Sequence, residues 1–219
     1  ANQGIPAEAF VNTVTSQQLL HVLGLLSECG QSVMLVGESG CGKSAVLSER
    51  VRAVCSGEVA EVLSVQIQAN RFTNARLLYE RLDEKLEWKH GQTYVAKGSK
   101  RLLCVVDDIN LSQVDKYHNQ TAVELVRQHL DDGGFYDMRT QSWRYVKNVT
   151  YLTAVNPRPT AGVPQLSSRL LRHFAIFGCP YPNNTELHTI YGTLLNTHFM
   201  SPESGSGAAD PGAVVADIQ

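Results

Sequence analysis

The stretch Gly37-Glu38-Ser39-Gly40-Cys41-Gly42-Lys43-Ser44 matches a complete G-x-x-x-x-G-K-[ST] phosphate-binding loop. An apolar, strand-like run at residues 32–36 comes directly before it, and a helix-like segment at residues 45–50 follows. This context lets backbone N–H groups and the helix N-terminus face phosphate oxygens, so all eight residues are expected to contact a nucleotide. We expect Lys43 to reach the β- and γ-phosphates and Ser44 to hold Mg²⁺.

The composition is typical of a globular protein rather than of a membrane or nucleic acid-binding protein. The chain has 219 residues, of which 43% are hydrophobic, and a formal net charge of −2. A basic face for nucleic acid is not indicated, and no apolar run is long enough to predict membrane insertion. The five cysteines are odd in number and lack C-x-x-C spacing, which argues against a disulfide framework or a zinc site.

Strands and helices are predicted to alternate along the chain. This order favours an α/β fold with a parallel five-stranded sheet and helices on both faces. The predicted strands are residues 33–36, 62–67, 102–106, 149–155 and 174–177. Thr15 and Gln18 have the spacing of a capping box for the first helix. Residues 88–100 are polar and contain glycine, so we interpret them as a loop, and residues 135–147 as a hairpin or short insert.

Polar side chains end two of these strands. Asp107 is placed to support Mg²⁺ opposite Ser44, and Asp108 is placed to polarise an attacking water. Asp108 could instead cap the next loop, and because aspartate is shorter than glutamate we expect weak or slow hydrolysis. Asn156 ends a strand expected beside the phosphate-loop strand, where its amide could bind the γ-phosphate or the water. A strand-terminal Asn-Pro is otherwise usually a turn.

Two arginines in a predicted short helix are a further candidate. Arg169 and Arg172 lie three residues apart, so they share one helix face. An arginine supplied in trans can stabilise a transferring phosphoryl group. A surface or structural ion pair would use the same spacing, and the residues alone leave both interpretations open.

Several segments together resemble an AAA+ ATPase module of a dynein heavy chain. Residues 106–111 with 115–117 are similar to its DDxNxP…D.YG.Q segment, and residues 124–128 and 132–137 to its ELLRQ…GGFYD. The other matching segments are residues 154–157 (AxNP), 169–174 (RxLRHF) and 189–192 (TIYG). The resemblance covers roughly residues 10–200 and is strongest to the third module of the motor ring.

The resemblance implies a P-loop NTPase of AAA+ type. Residues 1–184 would form the large α/β subdomain, 185–200 the start of the small helical subdomain, and 201–219 a flexible linker or tail, with the helical lid mostly missing. By motif, Asp108 takes the base position, Asn156 the sensor position, and Arg169 or Arg172 the arginine finger. Val11 and Thr13 fall in the segment that lines the adenine pocket in this family.

The function implied by the resemblance is that of a regulatory module in a microtubule motor. It would bind ATP and ADP with Mg²⁺ and gate the motor by slow hydrolysis. The implied partners are neighbouring modules of the same heavy chain and, through the full-length motor, the microtubule and dynein intermediate and light chains. The implied location is the cytoplasm and cytoskeleton, in particular the axoneme of a cilium or flagellum.

Departures from the family pattern keep alternatives open. His118 stands where the family has glycine, and Asp108 stands in place of a glutamate base. One alternative is a nucleotide-binding scaffold or interaction module that does not hydrolyse ATP. The other is a module of a different six-module AAA+ ATPase, against which the GGFYD and RLLRHF segments argue.

Overall fold

The computed structural model describes residues 10–55, 62–157 and 165–199, and the predicted tail at 201–219 lies outside these ranges. The strands described are Val33–Val36 (β1), Val62–Gln68 (β2), Leu86–His90 (β3), Thr93–Ala96 (β4), Arg101–Asp107 (β5), Gly134–Tyr136 (β6), Trp143–Val146 (β7), Val149–Val155 (β8) and Ala175–Gly178 (β9). The α-helices described are Val14–Glu28 (α1), Lys43–Cys55 (α2), Ala75–Asp83 (α3), Thr121–Asp132 (α4), Ser168–Leu171 (α5) and Asn184–Phe199 (α6).

The chain divides into two compact units. One spans residues 19–181 and holds the strands, and the other takes residues 1–18 and 182–219. Within the second unit, the backbone N–H of Thr15 donates to Glu186 Oε1 at 3.3 Å. The subdomain boundaries inferred from the sequence, at residues 184 and 200, stay a prediction.

The central sheet has five strands, all parallel, in the order β2-β5-β8-β1-β9. This confirms the predicted parallel α/β sheet. Strand β8 pairs directly with β1, with Val36 opposite Val155, as expected for the strand that ends in Asn156. Because the strands are parallel, the residues that follow β1, β5 and β8 meet at one edge of the sheet.

Helices cover both faces of this sheet. Side chains alternate between the faces of a strand, and in β5 Cys104 and Val106 join the core cluster that contains residues of α3 and α4. Leu103 and Val105 are also buried but lie outside that cluster. They therefore face the other side of the sheet, where helix α2 contacts β5 and β8. Burial on both faces accounts for the continuous apolar runs in the sequence.

A second sheet of four strands, in the order β3-β4-β7-β6, was only partly predicted. The hairpin expected at residues 135–147 is confirmed as the antiparallel pair β6–β7. The interpretation of residues 88–100 as a loop is wrong, because they contain most of the antiparallel hairpin β3–β4. Gly91, with a φ of 54°, forms the turn of this hairpin, and its carbonyl accepts a hydrogen bond from Trp88 Nε1 at 2.9 Å.

The first helix begins differently from the prediction. The reciprocal capping bonds join Thr13 and Ser16, with Ser16 N–H donating to Thr13 Oγ1 at 3.2 Å and Thr13 N–H to Ser16 Oγ at 2.8 Å. The capping box predicted at Thr15 and Gln18 is therefore wrong, since the helix starts at Val14. Both pairs fit the same spacing rule, so spacing alone does not decide which residue caps the helix.

No helix in the described ranges is long and apolar enough to cross a membrane.

A buried histidine links helix α4 to the central sheet and predicts a pH dependence. His129 Nε2 lies 3.0 Å from the Val146 carbonyl and Nδ1 lies 2.7 Å from the Tyr151 hydroxyl. A neutral ring satisfies both contacts, with Nε2 donating to the carbonyl and Nδ1 accepting from the hydroxyl. Burial lowers the pKa of His129 from its ordinary value of 6.5.

We therefore expect the free energy of unfolding to fall as the pH drops below about 6.5, because only the unfolded chain readily protonates this ring. One such group gives a slope of up to about 1.4 kcal/mol per pH unit. Denaturant unfolding from pH 8 to pH 5 would measure this loss, and His129→Gln should reduce it. The exposed histidine variant His21→Gln should keep the wild-type slope. Identical profiles for His129→Gln and the wild type would contradict this assignment.

Candidate functional site

The phosphate-loop motif forms the turn between β1 and α2, with helix α2 starting at Lys43. Gly37 lies against another part of the chain: a Cβ at this position would be 2.4 Å from the carbonyl oxygen of Cys179. Gly42 has a φ of 91°, and a Cβ there would meet no atom within 4 Å. The first glycine thus allows close packing, and the second allows the left-handed backbone that brings the loop onto the helix.

Lys43 is held over the loop by the loop's own carbonyl groups. Its ammonium donates to Gly37 O at 2.8 Å and to Glu38 O at 2.7 Å, and lies 3.7 Å from Cys41 Sγ. The side chain is buried, with 6% of the residue exposed. An ammonium has three donors and no acceptor. It can therefore exchange these carbonyls for phosphate oxygens without leaving another charged group unpaired.

A cavity of about 500 Å³ lies beside the loop, at the edge of the sheet where β5 and β8 end. Seven of the residues predicted from the sequence line it: Ser39, Gly40, Gly42, Lys43, Ser44, Asp108 and Asn156. Gly37, Glu38, Cys41 and Asp107 are not among the lining residues. The structure therefore brings the loop cation, the Ser44 hydroxyl, one carboxylate and one amide around a single space.

The two carboxylates after β5 have different environments. Asp107 Oδ1 is buried without a hydrogen-bond partner among the described residues. Asp108 has left-handed backbone angles, φ 51° and ψ 43°, and lines the cavity. Burial raises the pKa of Asp108, the charge of Asp107 raises it further, and the Lys43 ammonium opposes both. The two side chains therefore suit different tasks, one as an unpaired acceptor and the other as a proton acceptor near the cavity.

The donor set fits Mg²⁺ with a nucleotide. Magnesium usually takes one or two carboxylates, with phosphate oxygens and water completing its shell. Asp107 supplies an unpartnered buried oxygen and Ser44 a hydroxyl that lines the cavity. Within the ranges that the structure describes, no group of three or more His, Cys, Asp or Glu residues could hold a metal alone. Asp107 and Ser44 would hold Mg²⁺ together with phosphate oxygens and water.

Comparison with known proteins places this loop and cavity in a family. The family model described as the P-loop containing dynein motor region matches residues 2–182. The chain belongs to the dynein motor-region family. Membership in this P-loop family implies nucleotide binding.

Relatives with the dynein name confirm the resemblance seen in the sequence. The chain is 33% identical over 195 residues to dynein axonemal heavy chain 17 of Homo sapiens, and 34% identical over 195 residues to the ciliary dynein beta chain of Tripneustes gratilla. It is 33% identical over 192 residues to the flagellar outer arm dynein beta chain of Chlamydomonas reinhardtii. These matches cover 88–89% of this chain but 4% of each relative.

The two arginines assigned by the dynein resemblance do not line the cavity. Arg169 is exposed on α5. Arg172 forms an ion pair with Asp131 of α4, and His173 Nε2 lies 2.8 Å from the same carboxylate. The pKa of Asp131 is lowered to about 2, chiefly by its bond with Arg172. An action of either arginine on a neighbouring dynein module stays a prediction.

Three further positions singled out by the dynein resemblance are Val11, Thr13 and His118. Val11 and Thr13 belong to the other compact unit, so their role in an adenine pocket stays a prediction. His118, which replaces the dynein glycine, has a φ of 62°, the backbone region that glycine adopts most easily. The loop is held by Asp115, whose Oδ1 accepts the N–H groups of Tyr117 and Asn119, both at 2.8 Å. The turn is thus built here with a histidine.

Three cavity residues were not predicted: Ala45, Asn110 and Leu111. Asn110 and Leu111 lie in a 3₁₀ turn, Ile109–Leu111, that begins directly after the left-handed Asp108. The sequence signal that could have indicated them is their place within the dynein-like DDxNxP segment. Spacing from the strand end does not give their direction, because the left-handed residue redirects the chain.

Proposed function

We propose that this chain is a nucleotide-binding module of a dynein heavy chain that binds Mg-ATP and hydrolyses it slowly to regulate a microtubule motor. The observation that carries the proposal is the meeting of Lys43, Ser44, Asp108 and Asn156 around one cavity. These are the cation, hydroxyl, carboxylate and amide that phosphoryl transfer uses. This sequence matches a small part of each full-length dynein relative, so the activity of the whole motor is part of the proposal.

Each residue has a role in this proposal. Lys43 and the loop N–H groups hold the β- and γ-phosphates, and Ser44 with Asp107 holds Mg²⁺, which spreads charge from the phosphate oxygens when bound. Asp108 accepts the proton of the attacking water, and Asn156 orients the water or the γ-phosphate. Arg169 or Arg172 would serve the nucleotide of a neighbouring module, and Val11 and Thr13 would contact the adenine of this one.

The proposed setting is the motor ring of an axonemal dynein. The relatives are named axonemal, ciliary and flagellar dyneins, which supports a location in the cilium or flagellum. The proposed partners are neighbouring modules of the heavy chain and, through the whole motor, the microtubule and dynein intermediate and light chains. Third position in the ring rests on the sequence resemblance.

An exposed aromatic cluster on the second sheet supports contact with another part of the motor. The rings of Tyr136, Trp143 and Tyr145 pack edge to face, with centroids 4.9 Å and 5.9 Å apart. Tyr136 and Tyr145 remain about half exposed. Aromatic residues are enriched at protein interfaces, and a neighbouring module is the proposed partner of this cluster.

Hydrolysis by this site predicts a pH dependence set by Asp108. A base must be deprotonated to act, and the pKa of Asp108 is raised above the ordinary 3.8. Single-turnover hydrolysis of Mg-ATP should therefore slow as the pH falls. The loss of rate should begin at a higher pH than it would with an aspartate of ordinary pKa. Asp108→Asn should lower the rate by about 100-fold or more while leaving ATP bound.

The matched control is Asp132→Asn, which alters an exposed aspartate at the end of α4 and should leave the rate unchanged. Turnover in the wild type that Asp108→Asn does not alter would contradict the assigned base. Tight binding without any turnover would instead favour the alternative function, a nucleotide-binding scaffold that does not hydrolyse ATP.

A further inference from the structure

Asn110 lines the cavity beside the phosphate-binding loop and carries a buried polar atom without a partner among the described residues. The residue is 6% exposed, and it is one of those that line the cavity. Its Oδ1 is buried and has no hydrogen-bond partner within the described part of the chain. A buried acceptor without a partner costs free energy, so such an atom calls for a ligand or a fixed water.

Three other unpartnered atoms, in β5, in β8 and just after the 3₁₀ turn, differ from Asn110 Oδ1 in position. Asp107 Oδ1, Ser112 Oγ and Thr153 Oγ1 are also buried without partners among the described residues. None of these three residues lines the cavity, whereas Asn110 does. Among these four residues, Asn110 is therefore the one that combines an unpartnered buried acceptor with a place in the cavity lining.

The backbone around Asn110 is fixed, which makes the amide a positioned group. Ile109 before it is 1% exposed and belongs to the hydrophobic core. Gln120 Nε2 donates to Asn110 O at 2.6 Å and to Ser112 O at 3.2 Å. The N–H of Leu111 donates to Asp108 O at 2.8 Å, closing the turn. The base and the amide are therefore joined by one short, anchored turn, as a preorganised site requires.

We propose that Asn110 is a further catalytic residue, which orients the attacking water through its side-chain amide. Oδ1 accepts one water hydrogen, which leaves the other hydrogen for the Asp108 carboxylate. The water oxygen bonds to the γ-phosphorus, the bond from that phosphorus to the bridging oxygen breaks, and ADP takes the electron pair. The proton passes to Asp108, and Asn110 is unchanged. This inference rests on the proposed nucleotide hydrolysis.

The amide gives a reason why a short carboxylate can serve as the base. Aspartate reaches less far than glutamate, so the water must be held close to it and in a fixed orientation. Asn156, on the neighbouring strand end, and Asn110, in the turn after Asp108, line the same cavity as Asp108. Two amides on two anchored elements can restrain the water at the position that the shorter side chain reaches.

The test compares Asn110→Leu with the wild type in the purified chain. Leucine has a similar volume but no acceptor, so the thermal midpoint without nucleotide should stay the same or rise. Affinity for Mg-ATP should change by less than about threefold, and the single-turnover rate should fall by about 100-fold, the usual effect of losing one such polar contact. Ser112→Ala is the matched control, since it removes an equally buried unpartnered atom outside the cavity and should not alter the rate.

A second measurement uses ADP with aluminium fluoride, a mimic of the transferring phosphoryl group. Asn110→Leu should weaken binding of this mimic by about 100-fold and leave Mg-ADP binding within about threefold. Two results would overturn the role of Asn110 while leaving the proposed function intact. One is a rate and a mimic affinity within twofold of the wild type, and the other is an equal loss of Mg-ADP binding. Failure of the wild type itself to bind Mg-nucleotide would overturn the proposed function and this inference together.

Discussion

Lys43→Ala is expected to weaken Mg-ATP binding by about 100-fold, as measured by isothermal titration calorimetry. Lys43 is the one cationic residue among those that line the cavity in the described chain. A hydrogen bond to a charged partner contributes about 1.5–3 kcal/mol, and each 1.4 kcal/mol is a factor of ten in affinity. The buried ammonium makes several such bonds to a bound phosphate in the proposed complex.

The fold should survive this change, because within the described part of the chain the hydrogen bonds of the Lys43 ammonium go to atoms of its own loop. Lys89→Ala removes an exposed lysine of β3 and should bind Mg-ATP as the wild type does. A Lys43→Ala protein that keeps the wild-type thermal midpoint and the wild-type affinity would show that ATP does not bind at this loop.

Arg144→Met is expected to lower the free energy of unfolding by about 3 kcal/mol, the loss typical of breaking a buried ion pair. Arg144 forms an ion pair with Asp137, which is 2% exposed, and a second one with Asp83 at 2.7 Å. Its guanidinium also lies 4.5 Å from the centre of the Tyr94 ring. Without this arginine, a buried carboxylate would lose its cation.

The remaining partners of Asp137 explain why it would stay charged. Burial raises the pKa of Asp137, but hydrogen bonds from Arg139 N–H, Thr140 and Tyr79, together with the charge of Arg144, outweigh it and hold the pKa well below its ordinary value. Denaturant unfolding would measure the loss. Arg76→Met breaks an exposed pair with Glu80 on α3 and should cost less than about 0.5 kcal/mol. Equal effects of the two substitutions would contradict the structural role given to Arg144.

The central sheet could be predicted because its strands are continuous apolar runs. Residues 102–106 and 149–155 are buried on both faces, so their pattern does not depend on what pairs with them. The hairpin at residues 86–96 could not be predicted in the same way. Its strands are short, β3 is largely exposed, and β4 is completed by β7 through the pairing of Thr93 with Tyr145. Such pairing between distant segments leaves little signal in either one.

The proposed nucleotide site, like the fold, could be predicted from the sequence only in part. The loop glycines and Lys43 follow a motif whose spacing carries the geometry, so the cradle could be predicted from the sequence. The direction of Asn110 depends on one left-handed residue, Asp108, and on a hydrogen bond from Gln120 ten residues further along. Neither is visible in local spacing, and only the folded chain shows that Asn110 lines the cavity.

The most direct test of the account is titration of the wild-type chain with ATP in the presence of Mg²⁺ and again with the metal chelated. The account predicts one nucleotide per chain and clearly weaker binding without Mg²⁺, because Ser44 and Asp107 would then hold no metal against the phosphates. Absence of binding under both conditions, in a chain that unfolds cooperatively, would contradict the proposal that this cavity is a nucleotide site.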